Sequence, residues 1–167
     1  MPKIIENLRE EILAQAKKQI KERGYKNTTI RSVAAECGIA VGTVYNYFKS
    51  KDMLIASFIL NDWIECVEAI QCQPKEDRRA YLHFIHISLA RFEKSHAYLF
   101  ADRDAVQVFN AAFSERHKQL RGQLSRLIRP ITNEDFTADY VAEALLTWTM
   151  AGKGFDEIYD LLPEIIK

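Results

Sequence analysis

Within the segment Thr43-Val44-Tyr45-Asn46-Tyr47, four of five side chains can donate or accept a hydrogen bond. An asparagine amide matches the paired acceptor and donor on an adenine edge, and a threonine methyl can meet the methyl of thymine. Tyrosine hydroxyls are suited to phosphate oxygens. Residues 41–47 contain neither Lys nor Arg.

The other reactive side chains assemble no competing chemistry. The sequence lacks GxSxG, HExxH, a phosphate-binding P-loop and a pair of Glu-x-x-His motifs. Cys37, Cys66 and Cys72 are odd in number and show no CxxC spacing, which reads as small, partly buried hydrophobes. His83 and His86 are three residues apart and can share a helix face. A zinc site needs about four grouped ligands, and no others are identifiable. Neither a catalytic residue, a metal ligand nor a cofactor is predicted.

The elements that must hold the polar segment are helical. The first helix runs from about Ile4 to Arg23, where Ile5, Leu8, Ile12, Ala16 and Ile20 recur every three or four residues and Lys17, Lys18 and Lys21 face elsewhere. Gly24 is placed to stop it. Thr28 or Thr29 caps a short second helix with apolar positions Ile30, Val33, Ala34 and Cys37. Gly38 turns the chain into a third helix over about 41–48. Ala34 is small enough for the two helices to cross closely, while Ile39, Val44 and Phe48 can pin the third helix to the second. This grammar is a helix-turn-helix, which leaves Gly42, Thr43, Tyr45, Asn46 and Tyr47 free to face a major groove.

The remainder also reads as helix. Ser50 caps a helix to about Gln71 that is apolar nearly all round, a pattern expected of burial between two layers. Further helices are expected at about 76–94, 96–101, 104–128 (broken by Pro130), 135–151 (capped by Asn133 or Thr132) and from 155 towards 166. No alternating run bounded by hairpin residues predicts a strand. The expected fold is all-α with about nine helices: an N-terminal three-helix head over residues 1–52 and a helical body over 53–167.

Net charge is zero overall, yet residues 1–52 carry ten Lys/Arg against six Asp/Glu, while residues 53–167 carry 13 against 17. A basic head on an acidic body suits a polyanion met at one end. No run reaches the roughly 20 apolar residues of a membrane span, and the N-terminus has no apolar core of a signal peptide. The expectation is a cytoplasmic protein with no membrane partner.

From T-T-I through A-A-x-C-G-I and V-G-T-V-Y-N-Y-F to S-K-D, the segment Ile12–Leu54 resembles the TetR family of bacterial repressors. That resemblance implies a palindromic DNA operator, a homodimer and release by a small-molecule effector. It assigns Thr29 and Arg31 to the phosphate and groove edge, and Val41, Gly42 and Thr43 to groove entry. Tyr45 and Lys51 correspond to phosphate binders, and Asn46 and Tyr47 to a base-reading pair. Where the family places a serine this chain has Ala40, which removes a cap worth about 1 kcal/mol from the third helix.

In the body the resemblance implies an effector pocket and a dimer seam on the last two helices. Candidate effector residues are Trp63, Phe84, His86, Phe92, Phe109, Phe113, His117 and Trp148, although an aromatic stripe at helical spacing also describes plain core. Tyr140, Ala144, Leu145 and Trp148, with Phe155, Ile158, Tyr159, Leu161, Leu162 and Ile165, supply apolar surface for a seam or for closing the monomer core. The alternatives are a helical-bundle enzyme and a helix-turn-helix protein that acts mainly through protein partners.

Overall fold

A computed structural model describes residues 7–162, with the side chains of all of these except 100, 104 and 106–117. The described residues form eight helices and no strand: α1 (Leu8–Asn27), α2 (Ile30–Glu36), α3 (Val41–Tyr47), α4 (Lys51–Gln71), α5 (Arg78–Phe100), α6 (Arg103–Thr132), α7 (Asp135–Met150) and α8 (Phe155–Tyr159). They fall into two compact units. One contains the residues up to Asp62 together with His96–Asn110; the other contains Trp63–Ser95 and the residues from Ala111 onward.

In the first unit α1 buries Ile12, Ala16 and Ile20, on the stripe that the sequence predicts, and Leu13 beside it. Ile4 and Ile5 lie outside the described residues. Gly24 interrupts the helix with φ 80° and ψ 167°, but one further turn follows it and buries Tyr25. These residues pack with Val33, Ala34, Val44, Phe48, Leu54, Ile55 and Leu99 in one core. Each fully buried side chain of this size contributes roughly 1.5–3 kcal/mol.

α4 departs from the expectation of all-round burial. Ser50 caps it through the Met53 N–H at 3.1 Å, but Met53, Leu60 and Ile64 are exposed. The predicted break near residue 95 is also absent, because α5 runs on to Phe100 and absorbs the expected short helix. This leaves eight helices rather than about nine. α6 continues through Pro130 to Thr132, since a proline two residues from a helix end disturbs little that follows. Asn133 then takes a left-handed φ of 56° and ends it. The N-cap of α7 is therefore Glu134, not Asn133 or Thr132.

In the second unit Tyr81, Leu82, Ile85, Leu89, Leu124, Ile128, Val141 and Leu145 are buried. Phe155, Ile158, Tyr159 and Leu162 are buried as well. Most of the predicted α8 surface thus closes this unit's own core, leaving Leu161 exposed; Ile165 lies outside the described residues. No described helix is long and apolar enough to cross a membrane.

Candidate nucleic-acid interface

Local hydrogen bonds lock both ends of α2. Ser32 N–H donates to the Thr29 hydroxyl at 3.0 Å, and Thr29 N–H donates to Ser32 Oγ at 3.0 Å. This reciprocal box satisfies two donors that a helix start leaves open. At the other end Ile39 N–H reaches Ala34 O at 3.0 Å and Gly38 N–H reaches Ala35 O at 3.1 Å. That double closure needs a left-handed residue, and Gly38 supplies φ 66°.

The turn delivers α3 with its apolar side down. Val44 is wholly buried and Phe48 is 2% exposed, while Tyr45 and Tyr47 stand 45% and 46% exposed. Asn46 and Gly42 are exposed beside them, and Thr43 is half-buried. Val41 is also half-buried and packs on the core, so it seats the helix as well as fronting it. Ala40 offers no side-chain cap, as its missing hydroxyl dictates. Thr29 and Arg31 are exposed at the start of α2. Thr29, Arg31, Tyr45, Asn46 and Tyr47 are thus exposed, and Thr43 half-buried, on two short helices that pack on one core.

Residues 12–58 match the family described as bacterial regulatory proteins, tetR family. The head of the chain carries a TetR-family segment. The chain is 37% identical over 57 residues to the HTH-type transcriptional repressor KstR2 of Mycolicibacterium smegmatis, covering 34% of this chain and 27% of that protein. It is 23% identical over 123 residues to the fatty acid metabolism regulator protein of Bacillus subtilis, covering 74% of this chain and 61% of that one. The chain therefore spans roughly a quarter of one curated relative and under two thirds of the other. Among solved structures, the fatty acid degradation regulator FadR of Bacillus halodurans aligns with a TM-score of 0.64 at 18% identity, over 96% of each chain, which shows a shared fold.

Several contacts within this head were not signalled by the motif. Lys51 donates to the Tyr25 carbonyl at 2.8 Å, and its ammonium lies 3.7 Å from the centre of the Tyr25 ring. The Tyr25 hydroxyl donates to Asp52 at 2.5 Å, and the Tyr25 N–H donates to Asp102 at 3.2 Å. Asp102 also accepts the Ala105 N–H at 3.2 Å, so one carboxylate caps α6 and holds the end of α1. These partners are 77 residues apart in sequence, and no local pattern joins them. A second link joins Lys17, Asp62 and His96: the Lys17 ammonium is bonded to Asp62, and His96 Nε2 lies 2.9 Å from the same carboxylate. Lys17 is therefore engaged with α4 instead of facing away. Burial and the Asp62 charge push the nearby Tyr98 hydroxyl up to about 12.

Of the described effector candidates, Trp63 is 2% exposed, its indole N–H bonded to Gln123 and its ring edge-on to Phe92 at 5.3 Å. Both rings are thus buried. Phe84 is half-buried. His86 Nε2 faces the Lys153 carbonyl at 2.9 Å, so this nitrogen carries the proton and Nδ1 is left buried without a partner. Trp148 is half exposed and borders an open concavity of about 260 Å³ with Tyr140, Ala144, Lys153 and Leu161. The side chains of Phe109, Phe113 and His117 lie outside the described residues. No cluster of three metal-binding side chains occurs among the described residues.

Proposed function

We propose that this protein is a ligand-responsive transcriptional repressor of the TetR family that binds a palindromic operator as a dimer and leaves it when a small molecule binds the body. The carrying observation is the division of α3: Val44 and Phe48 buried beneath, Tyr45, Asn46 and Tyr47 exposed above. Hydrogen-bonding side chains held on a rigid helix, backed by apolar neighbours, are what base readout in a major groove requires. Residues 1–52 act as the DNA-binding domain, with 53–167 for effector and dimer. The site of action is the cytoplasm.

The dimer seam is assigned to the outer face of α7 and the end of α8. Phe136, Tyr140, Trp148 and Leu161 are exposed there by 76, 46, 50 and 78%. Apolar side chains in that density favour a dry partner, and a second copy provides the same patch about a two-fold axis. Leu145 is not part of the seam, because it points into its own unit. For the effector, the match to the fatty acid metabolism regulator extends well beyond the head, so a fatty acid is the class favoured here. The buried Nδ1 of His86, an acceptor while Nε2 holds the proton, is a candidate partner for a hydrogen-bond donor on an effector.

Selection of the purified protein against random duplexes tests this reading. An A·T-rich palindrome with two half-sites is expected, with binding that weakens steeply as salt rises. Failure to enrich any duplex would remove DNA binding from the proposal. Loss of operator binding on adding a fatty acid, with no change on adding an unrelated apolar molecule, would support the effector assignment.

A further inference from the structure

Gln19 lies in the middle of α1, on the same face as Ile12, Ala16 and Ile20, and only 2% of it is exposed. A buried amide is costly unless its donor and acceptor are both used. Both go to one residue of the neighbouring helix. Gln19 Nε2 donates to the Ser32 carbonyl at 3.1 Å, and Gln19 Oε1 accepts from the Ser32 hydroxyl at 2.7 Å. The orientation is unambiguous, because the Ser32 carbonyl can only accept and must therefore face the amide nitrogen.

This contact controls more than packing. The Ser32 hydroxyl has one hydrogen and two acceptors within reach, Gln19 Oε1 at 2.7 Å and the Thr29 carbonyl at 2.9 Å. Drawing the hydrogen towards Gln19 aims a lone pair of Ser32 Oγ at the Thr29 N–H, which it accepts at 3.0 Å. Thr29 in turn spends its hydroxyl lone pair on the Ser32 N–H. The hydroxyl hydrogen of this exposed threonine meets no acceptor among the described residues, so it remains available to an outside oxygen.

We propose that Gln19 is a positioning residue for DNA binding, fixing the start of α2 so that the Thr29 hydroxyl donates to one operator phosphate per half-site. The inference rests on the DNA-binding reading above. Ser32 and Thr29 form the visible box; Gln19, one helix behind it, sets its angle.

The test is ethylation interference and affinity on the selected operator, with wild type, Gln19→Leu, Ser32→Ala and the double variant, each checked by thermal melting. Gln19→Leu is expected to weaken every operator variant by roughly three- to tenfold, the range of one or two net hydrogen bonds. Ethylation sensitivity should fade at one phosphate per half-site, while the base preferences set by α3 and the salt slope stay unchanged, since the lost donor is neutral. The double variant should lose clearly less than the product of the two single losses, because both changes break one shared linkage. Wild-type affinity in Gln19→Leu, altered base preferences, or losses that multiply in the double variant would each overturn the proposal. If Gln19→Leu fails to fold, Ser32→Ala, at a half-exposed position, decides: it must dim the same phosphate or the proposal falls. A wild type that enriches no duplex removes the DNA reading and this inference with it, whereas an operator bound equally well by Gln19→Leu removes this inference only.

Discussion

The α2–α3 pair and the α7–α8 pair are opposites in what they expose. On α3 the exposed large side chains, Tyr45 and Tyr47, end in hydroxyls and flank an amide, while on α7 and beyond α8 they include Phe136, Trp148 and Leu161. Hydrogen-bonding groups are directional, so their types and spacing restrict the partner to a polar surface of matching pattern. Apolar surface is non-directional and asks only to leave water. The first face therefore names a class of partner, whereas the second says only that something should cover it.

The largest effect that tests this contrast lies beneath the first face. Phe48 is 2% exposed in the core that α3 shares with α1 and α4. Phe48→Ala should destabilise the head by about 3–5 kcal/mol through lost burial and a cavity. Its neighbour Tyr47, 46% exposed, should tolerate Ala within about 0.5 kcal/mol in a denaturant titration while losing operator affinity. Equal stability losses at 47 and 48 would mean that the polar face is not a separate surface.

Next comes the apolar face. Ala144→Glu places a carboxylate on the edge of the concavity beside Tyr140 and Trp148, and two-fold symmetry doubles it. Burying those charges unpaired should cost the dimer about 3 kcal/mol or more, giving monomers in sedimentation at micromolar concentration. A variant that stays dimeric with unchanged operator affinity would move the seam elsewhere.

A smaller and more selective loss is expected at Asn46. Asn46→Ala should cost about 1–3 kcal/mol at its cognate adenine and relax that one position. Loss spread evenly over operator variants would reassign Asn46 to a phosphate, and selection of a G·C-rich site with preferences intact would end its role in readout.

How legible these features are follows the range of the interactions. The caps at Thr29 and Ser50 and the turn at Gly38 depend on residues within five positions, so sequence spacing displays them. The helix period likewise exposes Val33, Val44 and Phe48 as core. Gln19 left a faint signal, a polar residue on the apolar stripe of α1, but its partner Ser32 is 13 residues away. Asp102 left none: a lone aspartate before a helix looks like an ordinary cap, and its bond to Tyr25 spans 77 residues. In the body, spacing alone does not separate pocket from core, and the buried Trp63 and Phe92 fit either. The continuity of α5 was missed because nothing in 95–97 enforces or forbids a helix locally.

The smallest expected effect concerns Lys51, at the junction of head and α4. Its ammonium is held by the Tyr25 carbonyl at 2.8 Å and by the Tyr25 ring at 3.7 Å. The carbonyl and the ring fix where the cation stands at the start of α4. If that charge meets a phosphate, Lys51→Ala should weaken all duplexes alike and flatten the salt dependence by about one unit. The same substitution also unties Tyr25, and a control must separate the two losses. Tyr25→Phe removes the hydroxyl's bond to Asp52 yet keeps both the ring and the carbonyl that hold Lys51. It should lower stability by about 1 kcal/mol and leave the salt slope where it was. A flattened slope in Tyr25→Phe, or an unchanged slope in Lys51→Ala, would show that this lysine braces the head instead of touching DNA, and the polar face would then end at α3.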